Sequence, residues 1–430
     1  MIGGLMKTTS RLTIATAFAA FATTGAMAAD LGGNCCSDLE ERVAELEATT
    51  ARKGNRKVSL EVSGHVHEGI FIWDDGEDSA AYIATPNYSR TRVRWKGSAK
   101  ITSDWSAGFL IELGLRQTGN TSAFDQDGIT RSGVDIRHQA LYVKSKRIGT
   151  FWLGHTSMAV DGIADICVGC TISSTHESQL GYSGFEARLN DGAFGPSWGA
   201  VGAGNNVASN GARRRLLRYI SPEFAGFVFS ADTGLDFFTD SSTAPGAPDG
   251  LDDDARWSIA LRYANEFNGV RVAGGAGYHE EDFLNGWGIS GSMQHTASGL
   301  FVAGSYGEQT DDRITAVGEE DTTDGWSVIG GMGRKFSPLG KTTIWVRYGE
   351  YTGRTVSFGA LDIAGAAIGN GRWSGESEVL SLGLNQKIDA AAMEMYVSYY
   401  HVSGDVTDSA GLNASLQDYN MVMFGARLRF

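Results

Sequence analysis

Apolar and polar residues alternate along most of the chain from Val58 to Phe430, in segments of about 8–14 residues. In the segment 105–116, apolar side chains occupy every second position, and the positions between them hold mainly small or charged residues. The same alternation occupies the final segment 420–430. Successive side chains of a strand point to opposite faces, so a period of two predicts β-strands that each have one apolar face.

Short and long connections alternate between these predicted strands. Seven short connections contain the Pro, Asp, Asn and Gly typical of tight turns, whereas eight long ones are rich in Asp, Glu, Gly, Ser and Thr. Fifteen connections imply sixteen strands. The short connections are 101–107, 144–150, 221–227, 265–270, 295–300, 336–341 and 387–392, and the long ones are about 74–88, 117–135, 155–212, 235–255, 279–285, 307–325, 350–375 and 404–417.

Sixteen amphipathic strands with this spacing predict an all-β fold, a 16-stranded antiparallel transmembrane β-barrel. Its apolar face would contact lipid and its polar face water, with short periplasmic turns and long extracellular loops. The barrel must close, because an unpaired strand edge cannot lie in hydrocarbon. A barrel of this size is wide enough to hold an aqueous channel. Glycine, at 58 of 430 residues, is roughly twice as frequent as the usual ~7%, which fits long, tilted strands.

One charged residue conflicts with this pattern. Glu68 shares the lipid-facing parity of Val66 and Ile70 in the first strand. A carboxylate that faces the middle of a bilayer is costly. The sequence therefore predicts either a β-bulge that shifts the register at Glu68 or a contact with another protomer.

The N-terminus has the features of an export signal. Lys7 and Arg11 precede the apolar segment 12–26, which is too short to span a membrane, and Ala26-Met27-Ala28 resembles a cleavage site. These features assign residues 1–28 to a signal peptide, with either Met1 or Met6 as its start.

Between the signal and the barrel, which is assigned to residues 58–430, lies a short periplasmic segment, residues 29–57. A two-heptad coiled-coil pattern within it favours association of chains, and a flexible linker is the alternative. The pattern consists of Leu39, Val43, Leu46 and Thr50.

The four cysteines form two close pairs, Cys35–Cys36 and Cys167–Cys170. Disulfides are permitted in an exported protein. The second pair lacks the additional ligand pair of a zinc site and the strand-to-helix context of a redox motif, so a loop disulfide is the preferred interpretation. No metal site and no cofactor are predicted.

The net charge is −14 for the full chain, and it becomes −16 when residues 1–28, with two cations and no carboxylate, are removed. Such an acidic chain argues against nucleic acid as a partner. The segment Ser89–Thr102 stands out against this background, because a cation occupies every second position from 90 to 96. These cations either line a water-filled interior or form an outer surface for lipopolysaccharide phosphates. They are Arg90, Arg92, Arg94 and Lys96.

Four segments resemble the porins of alphaproteobacteria within the general bacterial porin superfamily. They are "ADLGGNCCSDLEERVAELEATTARKGNRKVSLEVSG" at 29–64, "FWLGH" at 151–155, "RYISPEFAGF" at 218–227 and the terminal "FGARLRF". The resemblance covers nearly all of the chain after the signal. It implies a homotrimer of sixteen-stranded barrels, a third loop that folds inward and narrows the pore, and an outer-membrane assembly signal at Phe430.

In such a barrel the basic residues of Ser89–Thr102, together with Arg116, Arg214 and Arg218 on neighbouring strands, would form a wall across the lumen. The long third loop, roughly 155–212, would place acidic side chains opposite this wall, and opposed charges favour small hydrophilic solutes over apolar ones. The acidic residues are Asp161, Asp165 and Glu177.

The sequence thus predicts an outer-membrane porin for passive diffusion of small hydrophilic solutes and ions, with outer-membrane lipid, lipopolysaccharide and the assembly machinery as partners. A phosphate- or anion-selective channel would use arginine and lysine in its constriction, and a sugar channel would use an aromatic track, although Phe71, Trp345 and Tyr400 form no ladder. Long acidic loops are also compatible with an adhesin. A barrel enzyme is disfavoured because the sequence has no G-x-S-x-G or H-E-x-x-H motif, and no catalytic residue is predicted.

Overall fold

The computed structural model describes residues 57–86, 89–116, 124–125, 128–129, 133–175, 184–203, 213–234, 256–281, 283–357, 361–363, 366–368 and 371–430. The predicted signal peptide, the coiled-coil pattern, Cys35, Cys36 and Glu177 lie outside these residues. Within them the chain is almost entirely β-structure, and no helix is both long and apolar enough to cross a membrane.

Sixteen strands, each antiparallel to the next, close into a barrel through the pairing of the last strand with β1, as predicted. The barrel strands are β1 Ser59–Asp74, β3 Arg92–Lys100, β4 Trp105–Arg116, β7 Gly133–Ser145, β8 Gly149–Ser157, β11 Arg213–Ile220, β12 Phe227–Thr233, β13 Trp257–Phe267, β14 Val270–Glu281, β15 Leu284–His295, β16 Leu300–Asp311, β17 Thr322–Ser337, β18 Gly340–Ser357, β21 Arg372–Ile388, β22 Met393–Asp408 and β24 Tyr419–Arg429.

Shorter elements accompany the sixteen strands, and one of them, β2 (Ser79–Ala84), continues the second barrel strand toward the loop end. The accessory strands are β2 Ser79–Ala84, β5 Phe124–Asp125, β6 Gly128–Ile129, β9 Glu186–Arg188, β10 Phe194–Ser197, β19 Leu361–Ile363, β20 Ala366–Ile368 and β23 Asn413–Ser415, with helix α1 Ile172–Thr175 and a 3₁₀ turn Asp389–Ala391.

The seven predicted short connections all lie at one end of the barrel. The tightest joins β13 to β14 through Asn268 and Gly269, whose φ angles of 49° and 77° fit a type I′ hairpin turn. At the opposite end, two connections predicted to be long are short: residues 75–78 join β1 to β2, and residues 282–283 join β14 to β15. The loop between β16 and β17 is tied to β21 by Arg372, whose hydrogen bonds lower the pKa of Glu319.

The second barrel strand is interrupted. β2 pairs with residues 69–74 of β1 and β3 with residues 59–65, while Thr85, Pro86 and residues 89–91 lie outside both ladders. Ser89 there has a φ of 56°, and its carbonyl oxygen accepts a hydrogen bond from His67 Nδ1 at 2.9 Å. The predicted strand from Ser89 to Thr102 is therefore wrong at its start.

The outer face is apolar, with exposed Leu, Ile and Val side chains on most barrel strands. Aromatic pairs from neighbouring strands border this apolar belt near both ends, as expected where it meets lipid headgroups. The pairs are Trp257–Tyr278, Trp287–Tyr306 and Trp326–Tyr348 near the loop end, and Phe151–Tyr219 and Phe227–Tyr263 near the short-turn end.

Candidate functional site: an arginine wall and the segment across from it

Glu112 of β4 is the centre of a charged cluster on the polar face of the strands and is fully buried. Its carboxylate accepts hydrogen bonds from Arg137 Nε at 2.7 Å, from Arg94 Nε at 2.7 Å and from Arg92 Nη1 at 3.3 Å. Arg94 is the direct cross-strand partner of Glu112, and Arg137 reaches it from a register shift in β7. Three guanidinium groups share one carboxylate, so the cluster carries excess positive charge.

The other residues predicted for the basic wall differ in their surroundings. Arg90 lies in the segment 85–91 and pairs with Asp135 of β7, with 3.2 Å between Nη1 and Oδ2. Lys96 is exposed on the same strand as Arg92. Arg116 ends β4, and its side chain lies outside the described residues. Within the described chain, Arg90 pairs with Asp135, and Arg92 and Arg94 pair with Glu112; both carboxylates belong to barrel strands.

Arginines continue on the next strands. Arg214 of β11 donates from Nε to Glu281 Oε2 at 2.8 Å. Arg218 donates from Nη1 to the carbonyl oxygen of Ser157 at 2.9 Å, and Arg262 of β13 donates from Nη2 to the carbonyl oxygen of Asp161 at 2.7 Å. Backbone carbonyls satisfy these donors, while the nearby carboxylates of Asp161, close to both arginines, and of Asp232, close to Arg218, partly offset their positive charge.

Residues 158–175, named the inner segment, pack against the polar face of the barrel strands. The backbone N–H of Ala159 donates to Ser258 Oγ at 2.9 Å and also to Asp232. Ser290 of β15 donates to the carbonyl oxygen of Ile163. Met158, Val160 and Ile163 also form an apolar cluster with Leu216 and Ala260. The inner segment thus connects β11, β12, β13 and β15 from one side.

The second half of the inner segment reaches strands farther round the barrel. Val168 N–H donates to Ser292 Oγ at 3.0 Å, and the Thr171 hydroxyl donates to Asn385 Oδ1 of β21 at 2.7 Å. A disulfide joins Cys167 to Cys170 beside these two contacts, which confirms the predicted loop disulfide. Asp161 and Asp165 belong to the first half of the inner segment.

Residues 184–203 fill the space beside β1, β21, β22 and β24. Trp198 and Phe185 are buried there with Trp73, Trp373 and Tyr419 in one apolar cluster. The ring of Phe185 lies 5.1 Å from that of Trp73 and 5.0 Å from that of Tyr419, measured between centroids. The arginine wall occupies the other side, on β3, β4, β7, β11 and β13.

We expect the Cys167→Ser/Cys170→Ser variant to keep its folded barrel but to show stronger fluctuations in the open-channel current. A disulfide that closes so short a loop contributes only about 2 kcal/mol, and the hydrogen bonds to Ser292 and Asn385 remain. The measurement is single-channel current noise, with and without reductant, beside a thermal melt. Equal noise in the variant and the parent protein would mean that those hydrogen bonds alone immobilise the segment.

Sequence analysis missed three residues of this site: Arg137, Arg262 and Asp135. The parity of the segment 105–116 does place Glu112 on the polar face. Arg137, however, lies at a bulge that interrupts the alternation of β7. The face on which its side chain lies therefore follows only from the pairing of β7 with β4.

A family model described as Gram-negative porin matches residues 15–427 of the chain. Among solved structures, the chain is similar to an anion-selective porin from Comamonas acidovorans, at 16% identity and a TM-score of 0.54, covering 87% of this chain and 100% of that chain. It is also similar to the trimer form of OmpT, an outer membrane protein of Vibrio cholerae, at 14% identity and a TM-score of 0.50, covering 87% and 99% of the two chains. The outer membrane channel DcaP of Acinetobacter baumannii gives 13% identity and a TM-score of 0.50, covering 88% and 99%. No match was found among curated proteins.

Proposed function

The chain belongs to the Gram-negative porin family, and from this premise we propose that its water-filled barrel favours small anions among the hydrophilic solutes it passes. Family and fold make it an outer-membrane channel for passive diffusion rather than an enzyme. The preference for anions is the further step, and it rests on the surplus of arginine around Glu112 on β3, β4 and β7.

The observation that carries this proposal is the sharing of Glu112 by Arg92, Arg94 and Arg137. The side chain of Arg94 is 43% exposed, so its guanidinium group reaches the solvent that fills the lumen. A fixed positive potential in a narrow aqueous passage raises the local concentration of anions and lowers that of cations. The similar fold of an anion-selective porin supports the same direction.

A sugar-selective channel is less compatible with the geometry. Phe71, Trp345 and Tyr400 are the inward aromatic side chains available for a sugar track, and they are 1%, 3% and 0% exposed. All three belong to the apolar cluster beneath residues 184–203. A solute in the lumen does not reach side chains buried to this extent.

The proposal also covers the orientation of the barrel in the membrane, its oligomeric state and its surroundings. We place the short-turn end in the periplasm and the loop end outside the cell, with the inner segment narrowing the pore. The trimer form of a protein with a similar fold supports a homotrimer, and the N-terminal motif supports placement among the alphaproteobacterial porins. Lipopolysaccharide as the surrounding lipid, and recognition of Phe430 by the assembly machinery, complete the proposal.

The test is the reversal potential of purified protein in a planar bilayer under a potassium chloride gradient. We expect the parent protein to prefer chloride. The Arg92→Glu/Arg94→Glu variant should lower the anion-to-cation permeability ratio by about tenfold, equivalent to ~1.4 kcal/mol. An Arg92→Gln/Arg94→Gln variant should give a smaller change in the same direction.

The control is Lys335→Glu, which reverses an exposed charge that pairs with Asp389 at the short-turn end. It should leave the permeability ratio close to the parental value. A parental channel that prefers potassium, or a ratio that the double charge reversal does not change, would contradict the proposed anion preference.

A further inference from the structure

Glu68 lies on the outer face of the barrel, because the register of β1 against β24 runs without a shift from His65 to Asp74. The predicted bulge is therefore absent. The only hydrogen bond shown for its carboxylate comes from Thr85 Oγ1, at 2.8 Å. Val66 and Ile70, its neighbours on the same face, are 49% and 44% exposed. In the described part of the chain, Glu68 forms no ion pair.

A basic patch lies on the same outer face, three to five strands away. Gln139 of β7, His155 of β8 and Arg215 of β11 are cross-strand neighbours, and together they line a shallow pocket. Exposed leucines surround them, with Leu153 at 58% and Leu217 at 42%. Arg215 has no carboxylate partner among the described residues. Among the described residues of a single barrel, Glu68 and Arg215 thus lie on the apolar outer face without an ion-pair partner.

The strand register places both charges at the same level. A path along paired residues climbs with each strand, because the strands of a closed barrel are tilted and staggered. We take a rise of ~3.3 Å per residue, a strand spacing of ~4.8 Å and a strand tilt of ~40°. Along the barrel axis, Glu68 and Arg215 then each lie about 18 Å from Glu61, toward the loop end. The path from β1 to β11 follows successive cross-strand partners and ends next to Arg215: Glu61, Lys96, Leu110, Ala140, Gly154 and Leu216.

The surface above Glu68 also differs from the rest of the rim. Above the aromatic pairs on β14, β16 and β18, the outer face carries Glu280, Glu308 and Glu350. At the corresponding height on β1 and β2 it carries Ile70 and Ile83, and Ile83 is 73% exposed. Apolar side chains above the lipid belt indicate a surface that protein covers.

We propose that Glu68 of one chain forms an ion pair with Arg215 of a second copy, with His155 and Gln139 beside it, so that identical barrels join head to tail in a closed ring. The inference rests on the proposed trimer and specifies its contact. Glu68 and Arg215 lie five of sixteen strand steps apart, on the same side of the barrel, as a closed ring requires; contacts on opposite sides would give an open filament. The face between them is apolar, with Val134 and Ile136 exposed at 64% and 54%.

The experiment compares Glu68→Arg, Arg215→Glu and the double swap Glu68→Arg/Arg215→Glu in detergent, with the oligomer measured by native mass spectrometry. Each single variant places like charges opposite each other and should weaken the trimer by at least about tenfold in the dissociation constant. The double swap restores the pair and should recover most of that loss. Glu280→Arg, an exposed carboxylate on β14 far from the contact, is the matched control and should leave the trimer unchanged.

Single-channel conductance of the same variants separates this inference from the proposed function. We expect every variant to conduct, because the substituted side chains lie outside the lumen. Conducting variants whose trimer does not respond would overturn the contact, and so would a weakened trimer that the double swap does not restore, which would assign Arg215 to a lipid phosphate instead. A parent protein that does not conduct would contradict the channel and leave the mass spectrometry result to decide the contact.

Discussion

Replacing Glu112 with glutamine is expected to destabilise the barrel and to strengthen its preference for anions. The substitution leaves Arg92, Arg94 and Arg137 without their shared carboxylate while retaining a side chain of nearly the same shape. Removing one partner of a buried charge cluster costs about 3 kcal/mol or more, because the remaining charges stay desolvated and repel one another. The same surplus of positive charge raises the anion concentration in the passage.

Heat denaturation and reversal potential measure the two effects of Glu112→Gln separately. Asp135→Asn is the matched control, since it removes a 30%-exposed carboxylate that pairs with Arg90, and its loss of stability should be smaller. An unchanged melting temperature in Glu112→Gln would show that solvent screens the three arginines. An unchanged permeability ratio would place the cluster outside the conducting path.

Replacing Trp198 with alanine is expected to release residues 184–203 from the barrel and to increase single-channel conductance. Trp198 is fully buried in the apolar cluster. Truncation of a buried aromatic side chain typically costs about 3–5 kcal/mol, because it leaves a cavity in the apolar cluster that holds the segment. A segment that leaves the lumen widens the aqueous path.

Conductance of Trp198→Ala should be compared with that of Trp287→Ala. Trp287 is 42% exposed on the outer face, so its removal should leave the conductance unchanged. Trp198→Phe should restore most of the parental value, because an aromatic ring still fills the site. A Trp198→Ala channel with parental conductance would mean that residues 184–203 are held by their polar contacts, such as the hydrogen bonds from Arg188 to Asp75 and Asp78.

The barrel could be predicted because the alternation within each strand shows which of its side chains face lipid and which face water. A period of two over 8–14 residues is a local property, and so are the turn residues that separate the strands. Counting them gave sixteen strands and placed Arg92, Arg94 and Glu112 on one face before any pairing was known.

Features that depend on pairing or on distant contacts could not be obtained in this way. The interruption at residues 85–91 depends on His65 and His67, which hold the departing backbone. The position of the inner segment depends on contacts such as Ala159 with Ser258, 99 residues apart in the sequence. Glu112 as a partner of the basic ladder was overlooked, because the sequence shows the face on which a side chain lies but not which strand pairs with it.

The seam between β1 and β24 has a consequence for the order of folding. Gly64 and Phe430 exchange two backbone hydrogen bonds across it, and they are separated by nearly the whole barrel sequence. Hairpins such as β13–β14 close small loops and form quickly, whereas a contact of this sequence separation carries a larger entropy cost and forms slowly. Until the seam closes, β1 and β24 each present an unpaired edge that can add a strand from another chain. The slowest step of folding is therefore also the step at which the chain is most exposed to aggregation.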